Sequence, residues 1–294
     1  SGLIVVAGGL GVIIPPSIPF VLYSLATGVS TGALFLGGIF PGILIGLVLM
    51  IYCVIHCKRK GEDRERIDSS MKELHDMGLG RLFIDSFPAL LCPIIVLGGI
   101  YAGFVTPTEA ACISVFYALI VSLWVYKTIK IKDIWGIMVT AVRTYGGLAF
   151  VLAFATAFGR VLSLTGASAA ITNFITSTFG EAWIALTFCM ILFLILGMVM
   201  DTGPAIIILA PILLPAMEAL GVDPVHFGVI LVCCLAIGLA TPPFGLNLFV
   251  VSNLSGEKPM DIAAKAVPFI ISFLIALLLI VYIPWFSTFL YLGQ

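Results

Sequence analysis

The sequence predicts an all-α polytopic membrane protein organised as two inverted repeats, each built on a helix broken by prolines. Three observations predict it. The 294 residues have a mean hydropathy of +1.23, with 61% hydrophobic and 10% charged residues, a composition suited to apolar helices in lipid and not to a water-soluble surface. Two proline pairs, Pro15-Pro16 and Pro242-Pro243, each follow a glycine by four residues (Gly11 and Gly238) and lie 227 residues apart (242 − 15). The same offset carries Pro41 onto Pro268 (268 − 41). Finally, the apolar helices after the two pairs carry their positive charges at opposite ends. Lys58, Arg59 and Lys60 close the first, whereas Lys258 and Lys265 open the second. Lys and Arg mark the cytoplasmic side, so the copies run in opposite directions.

Taken in order, the first element is a helix broken over 11–16. Each proline removes a backbone donor and clashes with the preceding turn, and in hydrocarbon the released carbonyls need another partner. A neighbouring helix, a bound ion or a bound substrate fills that need. An apolar helix over 31–57 follows. It ends in a polar stretch to 81 that holds seven of the fourteen Lys and Arg residues and is expected in the cytoplasm, with a short surface helix over 71–75. Residues 87–104 cross outward to Thr106-Pro107-Thr108-Glu109. This reads as a helix start: Thr106 caps, Pro107 takes the first position and Glu109 closes a capping box. Residues 110–126 return to Lys127, Lys130 and Lys132.

The next helix, over 134–163, carries Arg143 near its cytoplasmic end and Arg160 about a bilayer's thickness further on, at about 1.5 Å per residue. Arg160 either snorkels to the interface or meets an anionic substrate. A polar interval over 165–180 precedes two apolar arms, 183–200 and 205–220, joined by Asp201-Thr202-Gly203-Pro204. At roughly 24–27 Å each as helices, the arms are short for crossing. They form either two crossings or, the favoured reading, a re-entrant hairpin with Asp201 at its tip. In the hairpin, Asp201, the hydroxyls of Thr202 and Thr241 and the carbonyls released over 238–243 suit Na+, a hard cation that takes oxygen ligands. In the other reading Asp201 caps a helix that starts at Pro204. A surface turn over 221–224 leads into the broken helix 225–255, and 262–285 is the last crossing.

Other function classes find little here. The seven cysteines (Cys53, Cys57, Cys92, Cys112, Cys189, Cys233, Cys234) and three histidines (His56, His75, His226) show no metal-ligand spacing, and the thiols read as buried and free. An enzyme would need converging nucleophiles, acids and bases, and none is apparent. No basic patch with interleaved aromatics points to nucleic acid. Two broken helices in corresponding halves do point to the binding site of a transporter.

Several stretches together resemble the large membrane subunit of the tripartite ATP-independent periplasmic (TRAP) transporters. They are Gly8-Gly9 with 11–17, 106–111, 200–204 with Pro211 and Pro215, Asp223-Pro224 with His226-Phe227-Gly228, and 238–245. The resemblance covers essentially the whole chain. It implies an elevator-type, Na+-driven symporter of the bacterial inner membrane that imports a small organic acid anion of the sialic acid or dicarboxylate type. Na+ is the coupling ion and no cofactor is implied. The implied partners are a small four-helix membrane subunit, a periplasmic substrate-binding protein and membrane lipid. Carried onto this chain, the sodium sites would use Asp201, Thr202, Gly203, Gly238, Thr241, Gly9 and Gly11, and the substrate would meet Ser17, Pro204, Pro243 and Arg160.

Residues 1–57 would belong to the first half of a transport domain, 58–81 to a cytoplasmic linker and 82–135 to scaffold helices. Residues 136–180 would connect the two, and 181–294 would form the second half with its hairpin. The counterpart of Asp201 falls before residue 1 (201 − 227), so the first hairpin of the family is expected to precede an N-terminally truncated chain. A binding-protein-independent Na+/dicarboxylate symporter of related architecture is the alternative. That family has Ser-Asn-Thr at its tips, where this chain has Asp201-Thr202-Gly203.

Overall fold

The computed structural model describes residues 1–61, 68, 71 and 78–292. Among them the chain is entirely helical. The elements are α1 (Gly2–Ala7), α2 (Leu10–Ile13), α3 (Ile18–Thr27), α4 (Thr31–Lys60), α5 (Leu79–Tyr101), α6 (Pro107–Ile120) and α7 (Ile134–Leu164). They continue with α8 (Ala167–Phe179), α9 (Ala182–Gly197), α10 (Thr202–Ala219), α11 (Pro224–Gly238), α12 (Leu246–Ser255), α13 (Pro259–Tyr282) and α14 (Trp285–Leu292). Among the described residues six helices are long and apolar enough to cross a membrane. The count becomes seven if the bent pair Gly2–Ile13 and Ile18–Thr27, which meet at 43°, is one span. The surface helix expected over 71–75 lies, apart from Met71, outside the described residues.

The chain divides into two compact units, Ser1–Tyr52 with Leu148–Gln294, and Cys53–Gly147. The centre of the first is α11. Every residue from Val225 to Gly238 is buried, as a helix apolar on all faces requires, and α9, α10, α2, α3, α13 and α14 pack around it. Its N-terminus is pinned from several sides. Asp223 Oδ1 accepts from the backbone N–H groups of Val225 (2.9 Å) and His226 (3.0 Å), and the Tyr291 hydroxyl donates to Asp223 Oδ2. The Tyr23 hydroxyl donates to the Pro224 carbonyl at 2.9 Å. His226 is buried with Nε2 3.3 Å from the Val281 carbonyl and Nδ1 2.6 Å from Ser287 Oγ. A carbonyl only accepts, so Nε2 carries a proton; Ser287 Oγ lies between Nδ1 and the Pro284 carbonyl, the latter at 3.0 Å. The stretch read as a surface turn is therefore also the anchor of the central helix.

In the second unit α5 and α6 pack together. The Tyr117 hydroxyl donates to the Pro88 carbonyl (2.7 Å) and that of Tyr126 to the Asp85 carbonyl (2.6 Å). The helix start expected at Thr106 is present in full: Thr106 Oγ1 accepts from Glu109 N–H at 3.3 Å, and Glu109 Oε2 accepts from Thr106 N–H at 2.8 Å. This position gives a prediction that separates a cap from a functional acid. Glu109→Gln keeps the reciprocal bonds and should leave transport intact, whereas Thr106→Ala should lower stability by about 1 kcal/mol. Thermal unfolding and uptake of the two variants check it, and loss of uptake in Glu109→Gln alone would give the carboxylate a role beyond capping.

Two differences from the sequence-based expectation stand out. The polar interval over 165–180 contains a 13-residue helix, α8, that packs on α10. The last crossing ends at Tyr282, and Trp285–Leu292 forms a separate short helix.

Candidate functional site

The arm α9 stops at Gly197, residues 198–201 form a tip, and α10 begins at Thr202. Asp201 is the N-cap: its Oδ1 accepts from Thr202 N–H (2.7 Å) and from the Thr202 hydroxyl (3.3 Å). The sequence suggests a helix starting at Pro204, but the helix starts two residues earlier. Pro204 then sits in the first turn, where backbone N–H groups have no ladder partner and their loss costs nothing. Among the described residues no donor reaches the other carboxylate oxygen, Oδ2.

The central helix stops at Gly238, the break occupies 239–245, and the chain resumes as α12. The tip lies directly against this break. A Cβ added to Gly238 would stand 2.4 Å from the Gly197 carbonyl carbon and 2.5 Å from its Cα, so the two backbones approach as only glycine permits. Phe244 N–H donates to the Met198 carbonyl at 3.2 Å. Between tip and break lies a cavity of about 230 Å³ whose lining includes Met198, Met200, Asp201, Phe244, Leu246 and Phe249. Asp201 is its one ionisable side chain. Thr241 turns its hydroxyl back onto the Ile237 carbonyl at 2.8 Å, so it repairs the break as well as bordering it.

The interruption between α1 and α2 lies against the second broken helix. A Cβ on Gly9 would be 3.2 Å from the Ala236 carbonyl oxygen, and one on Gly8 would be 3.0 Å from Asn247 Nδ2. Gly11 faces open space. Both proline pairs are joined by cis peptide bonds. Ser17 is 2% exposed; its hydroxyl donates to the Val12 carbonyl (2.5 Å) and its oxygen accepts from Phe20 N–H (3.4 Å), capping α3. Pro243 lines a different cavity, about 400 Å³, together with Lys258, Pro259 and Met260.

Arg160 stands apart from the tip. Leu152 reaches the neighbourhood of Gly203 and Gly159 that of the Ile207 carbonyl, which places exposed Arg160 about two helical turns beyond Leu152. The structure thus places Asp201 at the end of the tip with Thr202, Gly203 and Pro204 in the first turn of α10, sets Gly238 against Gly197 at the other end of the tip, and backs Gly9 onto the central helix at Ala236. Of the expected site residues only Asp201 is in the cavity lining; Thr202, Gly203, Pro204, Gly238, Thr241, Gly9, Gly11, Ser17, Arg160 and Pro243 lie outside it.

Among the described residues no group of three or more His, Cys, Asp or Glu side chains could hold a metal ion, so a cation here would rely on carbonyl and hydroxyl oxygens beside one carboxylate. Two residues that the sequence alone does not single out matter to this arrangement. Gly197 supplies the other half of the Gly238 contact, and Asn247 Nδ2 reaches the Val5 carbonyl in α1. The only sequence signal for Asn247 is a lone amide within an apolar run.

Residues 1–286 match the family model described as "Tripartite ATP-independent periplasmic transporter, DctM component". The chain is 38% identical over 285 residues to the "Isethionate TRAP transporter permease protein DctMQ" of Oleidesulfovibrio alaskensis, a match covering 97% of this chain and 44% of that protein. It is 37% identical over 291 residues to the "C4-dicarboxylate TRAP transporter large permease protein DctM" of Pseudomonas aeruginosa, covering 97% and 65%. To the "Sialic acid TRAP transporter large permease protein SiaM" of Vibrio cholerae it is 32% identical over 294 residues, covering 98% and 66%. The chain therefore spans less than two thirds of the length of these relatives. Their names describe transport proteins and not enzymes.

Proposed function

This chain belongs to the DctM component family of the tripartite ATP-independent periplasmic transporters, and on that premise we propose that it is the large permease subunit of a Na+-coupled importer of a small organic acid anion. It acts as a multi-pass protein of the bacterial inner membrane. A periplasmic binding protein delivers the substrate, and a small membrane subunit completes the scaffold. The substrate is an anion of the class named for the relatives: a C4-dicarboxylate, a sialic acid or a sulfonate such as isethionate.

The observation that carries this reading is the cavity between tip and break, with Asp201 as its one ionisable side chain. An anion entering alone would meet a carboxylate. Two like charges about 5 Å apart repel by about 3 kcal/mol at an effective dielectric of 20. A cation bound first at Asp201 Oδ2 reverses the sign of that interaction, so anion binding becomes conditional on Na+. Carbonyls released at 239–245 and the Thr202 oxygen complete the ligand set, and the positive end of the α10 dipole favours an anion beside its N-terminus. Na+ and substrate each favour the same closed tip, and linkage between them is the coupling. In this reading α9 and α10 form a re-entrant hairpin, the two broken helices belong to inverted repeats, and the assembly slides as an elevator against the scaffold.

The test is uptake into proteoliposomes holding the full-length protein and its small subunit, with binding protein added. Labelled C4-dicarboxylate, sialic acid and isethionate are offered under an inward Na+ gradient or matched K+. At least one should enter about tenfold faster or more with Na+, and omission of the binding protein should return uptake to background. Equal entry in K+ would overturn the coupling. Na+-driven entry without binding protein would favour the independent symporter instead.

A further inference from the structure

We infer that Asn247 is a positioning residue that ties the two broken helices to each other, so that order imposed at the second break reaches the first. The consequence for transport rests on the Na+-coupled reading above; the tie itself does not.

The two breaks leave equivalent carbonyls without partners. In an intact helix the Val12 carbonyl would accept from residue 16 and the Leu239 carbonyl from residue 243. Both positions are proline and have no N–H, and the two carbonyls are themselves 227 residues apart (239 − 12). Each is taken by a group just past its proline pair: Val12 by the Ser17 hydroxyl at 2.5 Å, Leu239 by Asn247 N–H at 3.0 Å. The second repeat uses a backbone N–H where the first uses a side chain. Asn247 therefore keeps its amide free to reach elsewhere, and its Nδ2 donates to the Val5 carbonyl in α1 at 3.1 Å.

Val5 needs that donor. At the end of α1, Gly8 N–H bonds to Ile4 and Gly9 N–H to Val6, both at 3.0 Å, so the ladder passes over the Val5 carbonyl. One residue thus satisfies the carbonyl released at the second break and the carbonyl that the ladder passes over at the end of α1. Val5 is fully buried and Asn247 half-buried, so the carbonyl that loses this donor is left unsatisfied away from solvent. A shift of α12 relative to α1 would strand both. Ions or substrate that fix 239–247 consequently hold the end of α1 as well, and the two halves respond together.

Hydrogen exchange on the full-length complex in detergent, without Na+ or substrate, tests the tie. Asn247→Ala keeps the backbone bond to Leu239 and removes only the amide. It should speed exchange over residues 5–12 by about fivefold or more, roughly the worth of one hydrogen bond, with the central helix α11 unchanged. Gly8→Ala disturbs the same contact from the other side, because its Cβ would meet Nδ2 at 3.0 Å. The double variant should show no more than the larger single effect. In uptake, Asn247→Ala should raise the Na+ concentration for half-maximal rate several-fold, while the rate at saturating Na+ stays within about twofold.

Exchange changes confined to 239–250, or additive effects of the two substitutions, would overturn the inference. If Asn247→Ala fails to assemble, exchange over residues 5–12 in Gly8→Ala alone decides the same question. Native uptake indifferent to Na+ would remove the coupling reading and leave the exchange result to decide the tie.

Discussion

Gly238→Ala is expected to abolish Na+-driven uptake and to destabilise the first unit, while Gly11→Ala, its repeat counterpart, should leave stability nearly unchanged. The contrast follows from what each new methyl meets. At Gly238 the Cβ would lie 2.4, 2.5 and 2.8 Å from the carbonyl carbon, Cα and oxygen of Gly197, all backbone atoms of the facing arm. No rotamer change relieves such a clash. Relief requires α9 to move away from the buried central helix, at an overpacking cost of about 1–3 kcal/mol or more. The same displacement opens the contact between the Met198 carbonyl and Phe244 N–H and with it the cavity beside Asp201. At Gly11 no atom lies within 4 Å of the added Cβ. Thermal unfolding of both variants, with uptake measured on protein that still assembles, checks the pair. A normal melting temperature and normal uptake in Gly238→Ala would mean that tip and break do not need this approach.

Gly238 also shows how far the sequence could be read. Two adjacent prolines have one local meaning in a helix, so both breaks were legible from composition and spacing. So was the capping box at Thr106, whose partners lie three residues apart. The Gly197–Gly238 contact joins residues 41 positions apart (238 − 197) through backbone alone, and a missing side chain leaves no pattern from which to infer its neighbour. The Asn247 bond to Val5 spans 242 residues and has no counterpart in the first repeat, so repeat logic gives no hint of it.

Ser17 illustrates the opposite case. Its position beside the proline pair is plain in the sequence, but its hydroxyl is bound to Val12 and its oxygen to Phe20, because a carbonyl released by a proline competes for the nearest donor. The helix α8 was hidden by its Ser, Thr and Asn content. Its buried Ile175 lies one turn from Ile171, and a helix with one narrow apolar stripe reads as a loop until the surface it packs on is known.

Asp201→Asn should have the other large effect, and it separates the two roles of this residue. Asparagine caps a helix as well as aspartate does, so the bond to Thr202 N–H and the start of α10 persist. What disappears is the charge beside the cavity. A carboxylate and a cation about 4 Å apart attract by about 4 kcal/mol at an effective dielectric of 20, or close to three powers of ten in affinity. Ordinary Na+ concentrations would then leave the site empty. The most direct test is therefore Na+-driven organic-anion uptake by native and Asp201→Asn protein, each in full-length form with its small subunit and binding protein and matched for assembly and melting temperature. Uptake at background in the variant, with its thermal stability unchanged, is the predicted result. Uptake that persists with an unaltered dependence on Na+ would contradict the assignment of Asp201 as the coupling carboxylate.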